Sequence, residues 1–178
     1  MLKRVLLGIA VLLAAFLGYV ATQPSAFSVA RSTTIAAPPA AVFAHVNDFH
    51  KWQAWSPWAK RDPNAKATFE GPEAGEGAVF KWAGNHEVGA GSMRIVESRP
   101  AERVRIELAF TEPFEDKADV ELTLKQAGGT TDVTWRIAGE NGFVERAIMT
   151  LMGIDLERMI GADYEQGLTN LKAVVEKG

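Results

Sequence analysis

Three consecutive segments in the second half of the sequence alternate apolar and polar residues with a period of two. They are "ERVRIELAF" (102–110), "DVELTL" (119–124) and "DVTWRI" (132–137), and each places its apolar side chains on one face only. This period is typical of a strand that has one buried and one solvated face. Strands of this kind joined by short turns are typical of an antiparallel sheet. The chain is therefore predicted to form an antiparallel sheet whose apolar face needs a cover.

Further strands and short helices are predicted before these three segments. The segments "VFKWAG" (79–84) and "GSMRIVESR" (91–99) continue the alternation, and "FSVARSTTI" (27–35) is rich in the β-branched residues that favour strands. Pro39 fits the first turn of a helix, and apolar residues follow it at helical spacing. The expected order is a strand, then short helices, then the run of antiparallel strands.

The cover for the sheet is predicted in the segment 142–177. Gly153 is expected to divide this segment into a short helix and a long one, with Asp155 near the start of the second. Apolar residues recur at steps of three and four along it: Met149, Met152, Leu156, Ile160, Tyr164, Leu168, Leu171 and Val175. This stripe is typical of an amphipathic helix. The element order predicts an α+β fold in which a long C-terminal helix lies across a curved sheet.

The N-terminal segment indicates where the protein resides. Lys3 and Arg4 precede residues 5–21, which carry no charge and are long enough for a membrane helix. We expect residues 1–25 to be an uncleaved signal anchor with its tether, and residues 26–178 to be the folded domain. Positive charge before the span keeps that end in the cytoplasm, so we expect a single-pass protein of the inner (cytoplasmic) membrane of a bacterial cell, with the domain facing the periplasm or the outside. Secretion after signal cleavage is the alternative.

Composition argues against several classes of function. The chain carries 19 basic and 22 acidic residues and no Lys/Arg-rich run, so nucleic acid is not expected as a partner. It has no cysteine, which excludes disulfides and thiolate chemistry. His45 and His50 are not at the helical spacing of a metal-binding pair. We therefore predict no metal and no cofactor.

The titratable residues provide no recognisable catalytic set. Asp48 lies near His50 in the sequence, and Glu87 follows His86, so each pair could act as an acid and a base. Neither pair has a nucleophile or a third, orienting group at a recognisable spacing. No catalytic residue is predicted, and an enzyme is less favoured than a binding protein.

Three tryptophans stand three residues apart in "DFHKWQAWSPWAK" (48–60). Trp52, Trp55 and Trp58 each carry about 150–250 Å² of surface that favours burial. They are expected either to fill a core or to form one wall of an apolar pocket. Both interpretations stay open from the sequence.

The same region resembles a known superfamily. "STTIAAPPAAVFAHVNDFHKWQAWSPW" (32–58) resembles the opening of START-like, or SRPBCC, proteins, particularly of their polyketide cyclase/dehydrase-like branch. That group shows a strand ending in Ile–x–Ala–Pro, a helix with Val–Phe, an Asp–Phe/Trp element and a Trp–Ser–Pro–Trp-like turn. "GLTNLKAVVE" (167–176) is similar to the end of its C-terminal helix, and the whole resemblance covers residues 27–177.

The resemblance implies a helix-grip (START/Bet v 1-like) fold, in which a seven-stranded sheet wraps around the long helix and leaves a cavity for apolar ligands. The expected function is a membrane-tethered domain that binds a small hydrophobic or amphipathic molecule, such as a lipid, an isoprenoid or a polyketide-like compound. The alternatives are a cyclase/dehydrase-type enzyme that uses the same cavity and a ligand-free structural or stress-related domain. The candidate cavity residues are Trp52, Trp55, Trp58, Trp82, Phe110, Trp135, Met149, Met152 and Met159.

Overall fold

A computed structural model describes residues 1–113 and 115–177 of the chain; Phe114 and Gly178, both within the predicted domain, lie outside the described residues. The α-helices are α1 (Leu2–Thr22), α2 (Pro39–Val46), α3 (Phe49–Trp52), α4 (Phe143–Met152) and α5 (Leu156–Val175), and a 3-10 helix spans Pro57–Lys60. The strands are β1 (Ala26–Ile35), β2 (Lys66–Glu70), β3 (Val79–Ala83), β4 (Ala90–Arg99), β5 (Arg103–Glu112), β6 (Asp116–Ala127) and β7 (Thr130–Glu140).

The strands form one seven-stranded sheet in the order β1-β7-β6-β5-β4-β3-β2, and every neighbouring pair is antiparallel. This confirms the predicted α+β helix-grip fold. No sequence pattern predicted β2. That strand is only five residues long, lies at the sheet edge, and carries a single half-buried apolar side chain, Phe69.

The core lies between the concave face of the sheet and α5. The alternation in β5, β6 and β7 places Val104, Leu122 and Val133 on the inner face, where each is fully buried. From the other side, α5 contributes Leu168 and Leu171, which are also buried. α5 packs mainly against β1, the 3-10 helix and α2, so it covers one side of the sheet more completely than the other.

The C-terminal stripe does not form one continuous cover. Gly153 adopts a left-handed conformation with φ of 64°, which favours glycine, and it separates α4 from α5. Asp155 caps the N-terminus of α5, since its Oδ1 accepts a hydrogen bond from the backbone N–H of Arg158 at 3.1 Å. Because the chain changes direction here, α4 turns away from the core, and Met152 is 68% exposed.

α1 precedes the domain and is joined to it by residues 23–25, which lead directly into β1. Among the described residues it is the one helix that is long and apolar enough to cross a membrane, and a signal sequence has the same features. Val20 is its single buried residue. The domain core is therefore built almost entirely without α1.

Candidate functional site

Trp52, Trp55 and Trp135 form the packed centre of an aromatic cluster. Ring centroids lie 4.6 Å apart for Trp52 and Trp55, and 5.2 Å apart for Trp55 and Trp135. Trp52 and Trp135 meet edge to face at 5.8 Å. All three side chains are at most 4% exposed. These rings fill the core, as one of the two interpretations of the tryptophan segment expects.

Hydrogen bonds from the indole nitrogens hold the tryptophan segment against the end of α2. Trp52 Nε1 donates to the carbonyl of Val46 at 3.0 Å, and Trp55 Nε1 donates to the carbonyl of His45 at 3.4 Å. These carbonyls belong to the last turn of α2 and lack partners within the helix. The three-residue spacing of the tryptophans thus places two indoles where they pack inward and also cap α2.

α5 approaches this cluster closely. Tyr164 stacks on Trp135 with centroids 4.0 Å apart, and its burial raises the pKa of the phenol. A Cβ atom on Gly167 would lie 2.6 Å from Cζ3 of Trp135. Trp58 is half-buried at the margin and meets both Trp135 and Tyr164 edge to face. Glycine at 167 is therefore required for the helix to lie directly on the indole.

A second group of aromatic side chains extends the cluster along the sheet. Phe80, Trp82 and Phe110 are only half-buried. Trp82 lies 5.9 Å from Phe80 and 5.7 Å from Phe110, centroid to centroid. Phe49 joins them to the packed cluster, since its ring lies 6.1 Å from Phe80 and 5.4 Å from Trp52. The aromatic residues thus pass without a break from fully buried to partly exposed.

The half-buried aromatic residues lie at one end of the inner face of the sheet, together with other half-buried apolar residues. We call this set of side chains the open row: Phe27, Phe80, Trp82, Met93, Leu108, Phe110 and Ala118. Strand register places Trp82 opposite Gly91, and Gly91 opposite Phe110. Phe27 pairs with Gly139, which pairs with Ala118 on β6. Since only three residues separate the end of α1 from the start of β1, the open row lies at the sheet end that adjoins α1.

The three candidate methionines lie away from these aromatic residues. Met149 is half-buried on α4. Met152 is 68% exposed and Met159 54% exposed, on either side of the α4–α5 junction. The structure therefore joins the candidate tryptophans and Phe110 into one aromatic group and leaves the methionines outside it.

The Asp48–His50 pair does come together. Nδ1 of His50 lies 3.0 Å from Oδ1 of Asp48, and the same oxygen accepts the His50 backbone N–H at 2.9 Å as the cap of α3. The imidazole stacks on Phe69 at 4.0 Å and borders a surface cleft of about 270 Å³. The other pair, His86 and Glu87, is exposed in the turn between β3 and β4.

The other titratable groups show no arrangement for metal binding. Within residues 1–113 and 115–177, no group of three or more His, Cys, Asp or Glu side chains could hold a metal ion. Burial lowers the pKa of His45, and the positive charge of Lys51 lowers it further. The neutral form of His45 is therefore favoured in the folded protein.

Arg31, which no sequence motif marked as a functional residue, lies beneath α5. Its Nε donates to Glu165 at 2.6 Å and its Nη2 lies 2.9 Å from Glu157, and these carboxylates raise the pKa of the guanidinium. A Cβ on Gly161 would lie only 2.0 Å from Nη2. The period of two in β1 places Arg31 on the same face as Val29, so the sequence indicated that Arg31 faces inward. It did not indicate the two carboxylates that pair with it, because they lie more than 120 residues away.

Comparisons with known proteins identify the family and the fold. The family model described as polyketide cyclase/dehydrase and lipid transport matches residues 26–176. The chain belongs to this family. The match includes both the packed aromatic cluster and the open row of this polyketide cyclase/dehydrase-type domain. No curated protein matches the sequence.

Solved structures with the same fold are distant in sequence. A protein from Chromobacterium violaceum is 18% identical with a TM-score of 0.60, over 84% of this chain and 96% of that one. A protein from Thermobifida fusca is 22% identical with a TM-score of 0.59, over 84% and 93% of the two chains. Ara h 8.0201 is 15% identical with a TM-score of 0.56, over 85% and 96%. These likenesses show the fold alone.

Proposed function

We propose that this polyketide cyclase/dehydrase-type domain is tethered to a membrane by α1 and binds a small hydrophobic or amphipathic molecule, such as a lipid, an isoprenoid or a polyketide-like compound. The observation that carries the proposal is the open row. Large apolar side chains that are left half-exposed on a concave face favour binding of an apolar partner. The family's description includes both lipid transport and polyketide chemistry.

The position of the open row supports a ligand that partitions into membranes. The row lies at the end of the sheet next to α1, whereas the packed cluster of Trp52, Trp55 and Trp135 fills the space beneath α5. A molecule leaving the bilayer would reach the open row first. The binding mechanism is desolvation: the ligand removes the exposed faces of Trp82 and Phe110 from water, at about 25 cal/mol per Å² of apolar surface.

The proposal is tested on the full chain, purified gently from its native host. Native mass spectrometry and organic extraction are compared for the wild type, Phe110→Glu and Thr111→Glu. Position 110 faces the open row, and position 111 is exposed on the opposite face of the same strand. Lipids that surround α1 are common to all three proteins, so only a difference between them reports the site.

A stoichiometric apolar compound that is present in the wild type and in Thr111→Glu, but lost in Phe110→Glu, is the expected result. Loss in both variants would place the ligand in a cleft of about 480 Å³ at the β5–β6 hairpin, which Thr111 also lines, and would overturn the assignment to the open row. An empty wild-type protein would favour a domain that acts through its surface.

A second candidate function is a cyclase/dehydrase-type enzyme, favoured by the Asp48–His50 pair. Asp48 is 8% exposed and holds His50 at the edge of the 270 Å³ cleft, an arrangement that suits a general base. The extracts from wild type and His50→Gln distinguish the two functions. An enzyme predicts that the variant retains an unconverted compound of different mass, whereas a carrier predicts the same compound in both.

A further inference from the structure

α4 exposes its apolar side to solvent. At 100° per residue, its six apolar residues other than Met149 fall within one half of the helix circumference, and Glu145, Arg146 and Thr150 lie in the other half. Five of the six are large and well exposed: Phe143 42%, Val144 69%, Ile148 40%, Leu151 77% and Met152 68%. Helices on a protein surface normally turn this side toward the core, so the exposed apolar side of α4 points to an external partner.

α4 is attached to the C-terminal end of α1. The guanidinium of Arg146 donates hydrogen bonds to the carbonyls of Val20, at 3.4 Å, and of Gln23. The last carbonyls of a helix lack intrahelical partners, and a cation there is also favoured by the helix dipole. Val20 is fully buried, and the Asn141 N–H donates to the Ser25 carbonyl at 2.8 Å. These contacts hold α4 beside the point where α1 ends.

The length of α1 sets the depth of this point. Residues 5–21 of α1 carry no charge, and a helix of this length is about 26 Å long, at the short end of the range of about 17–25 residues that cross a bilayer. With Lys3 and Arg4 at one surface of a thin or locally adapted bilayer, Val20 lies close to the other. Tyr19 is 56% exposed at this end of α1, where aromatic residues are enriched in membrane helices. α4 therefore lies at the level of the lipid headgroups.

We propose that α4 is an interfacial membrane helix, whose apolar side inserts among lipid headgroups and the upper acyl chains beside α1. The proposal rests on the membrane tether proposed above and goes beyond it, because it assigns a second membrane contact and fixes the orientation of the domain. A bilayer is favoured over a protein partner because α4 is held beside the end of α1, the one helix among the described residues that is long and apolar enough to cross a membrane. Interfacial helices bury their apolar side about 5–10 Å into this zone.

The absence of native cysteine allows single-site spin labelling of the full chain in phosphatidylcholine vesicles. Labels are placed at Leu151→Cys and Val144→Cys on the apolar side of α4. Leu12→Cys, at the centre of α1, is the positive control for the tether. Lys125→Cys, exposed at the opposite end of the sheet from α1, is the aqueous control. Accessibility of each label to oxygen and to a water-soluble nickel chelate is measured.

The expected result is oxygen accessibility well above that of Lys125→Cys, and nickel accessibility several-fold lower, at both α4 positions. Nickel accessibility equal to that of Lys125→Cys would overturn the proposal, since α4 would then lie in water. Low accessibility to both reagents would also overturn it, because a protein surface, including a second copy of the chain, would cover the helix. The Leu12→Cys label reports separately on the tether, so failure of the tether and failure of the interfacial helix are distinguishable.

Discussion

Gly167 and Gly161 lie on the same helix, and replacing each by alanine is expected to have different effects on stability. A Cβ at 167 would meet the Trp135 ring at 2.6 Å and Pro57 Cδ at 3.2 Å. A Cβ at 161 would meet the guanidinium of Arg31 at 2.0 Å. The first obstacle is a buried ring in a packed cluster, whereas the second is the end of a flexible side chain. The two substitutions are otherwise the same change in the same element.

The magnitude follows from opposing contributions to the free energy of unfolding. Replacing glycine by alanine in a helix favours folding by about 1 kcal/mol at either position. Overpacking a core costs about 1–3 kcal/mol, and 2.6 Å is far inside a normal carbon–carbon contact of about 3.5–4.0 Å, so the upper part of that range applies to Gly167. The expected net destabilisation for Gly167→Ala is about 1–2 kcal/mol.

Gly161→Ala is expected to change stability little. Arg31 can rotate away from the new methyl group, losing its contacts with Glu157 and Glu165. Both carboxylates are more than 60% exposed, and exposed ion pairs contribute little to stability because solvent screens them. This small loss is offset by the gain in helix propensity, so the stability of Gly161→Ala should stay close to that of the wild type.

Thermal unfolding of the full chain in detergent, followed by tryptophan fluorescence, measures this difference. All five tryptophans lie within the domain and none in α1, so the signal reports the domain. Gly167→Ala should lower the Tm by about 2–8 °C, while Gly161→Ala should remain near the wild type. Equal losses in both variants would refute the reasoning, because the cost would then come from the helix and not from Trp135. An unchanged Gly167→Ala would refute it as well.

Three further substitutions test individual contacts. Because the folded state lowers the pKa of His45, the unfolded chain binds a proton there below about pH 6.5 that the folded chain does not. Stability should therefore fall from pH 7.5 to 5.5, and His45→Gln should make the Tm depend less steeply on pH. An equally steep dependence in both proteins would contradict the role given to His45. Thr131→Val removes the 2.7 Å hydrogen bond that the buried hydroxyl donates to the Ala37 carbonyl. It should lower the free energy of unfolding, measured in urea, by about 1–3 kcal/mol. Thr131→Ser keeps the hydroxyl and should lose less. Asp48→Ala removes the side chain that accepts the hydrogen bond from the His50 N–H and should lower the free energy of unfolding by about 1 kcal/mol. Asp48→Asn can still cap the helix and should keep most of this stability. Equal losses in the two variants would show that the carboxylate charge, and not the cap, stabilises this segment.

Local patterns were sufficient to predict most of the fold. The period of two in β5, β6 and β7 and the division at Gly153 were both present in short segments, because each depends on which side of one element is buried. β2 (Lys66–Glu70) was missed for the same reason: an edge strand with one half-buried apolar residue has almost no period of its own. Its pairing with β3 supplies the backbone hydrogen bonds that define it.

The candidate site could be predicted from the sequence only in part. The sequence identified the aromatic residues but left open whether they fill a core or line a pocket. Contacts between distant segments decided this: Gly167 lets α5 lie on Trp135, which buries the cluster, while α5 leaves Trp82 and Phe110 half-exposed. Both outcomes depend on where α5 lies over the sheet, and the residues near the tryptophans in the sequence do not determine that position.

The sequence by itself determined the element types, the apolar N-terminal helix and the resemblance to the family, since these depend on periodicity, length and local motifs. Only the tertiary structure decided which aromatic side chains are packed and which remain open. It also decided that only α5, which follows Gly153, covers the sheet, and that α4 turns its apolar side outward beside α1. The physical reason is that burial depends on the distance between elements and on the direction of the chain between them, and both are set by packing across the whole sheet.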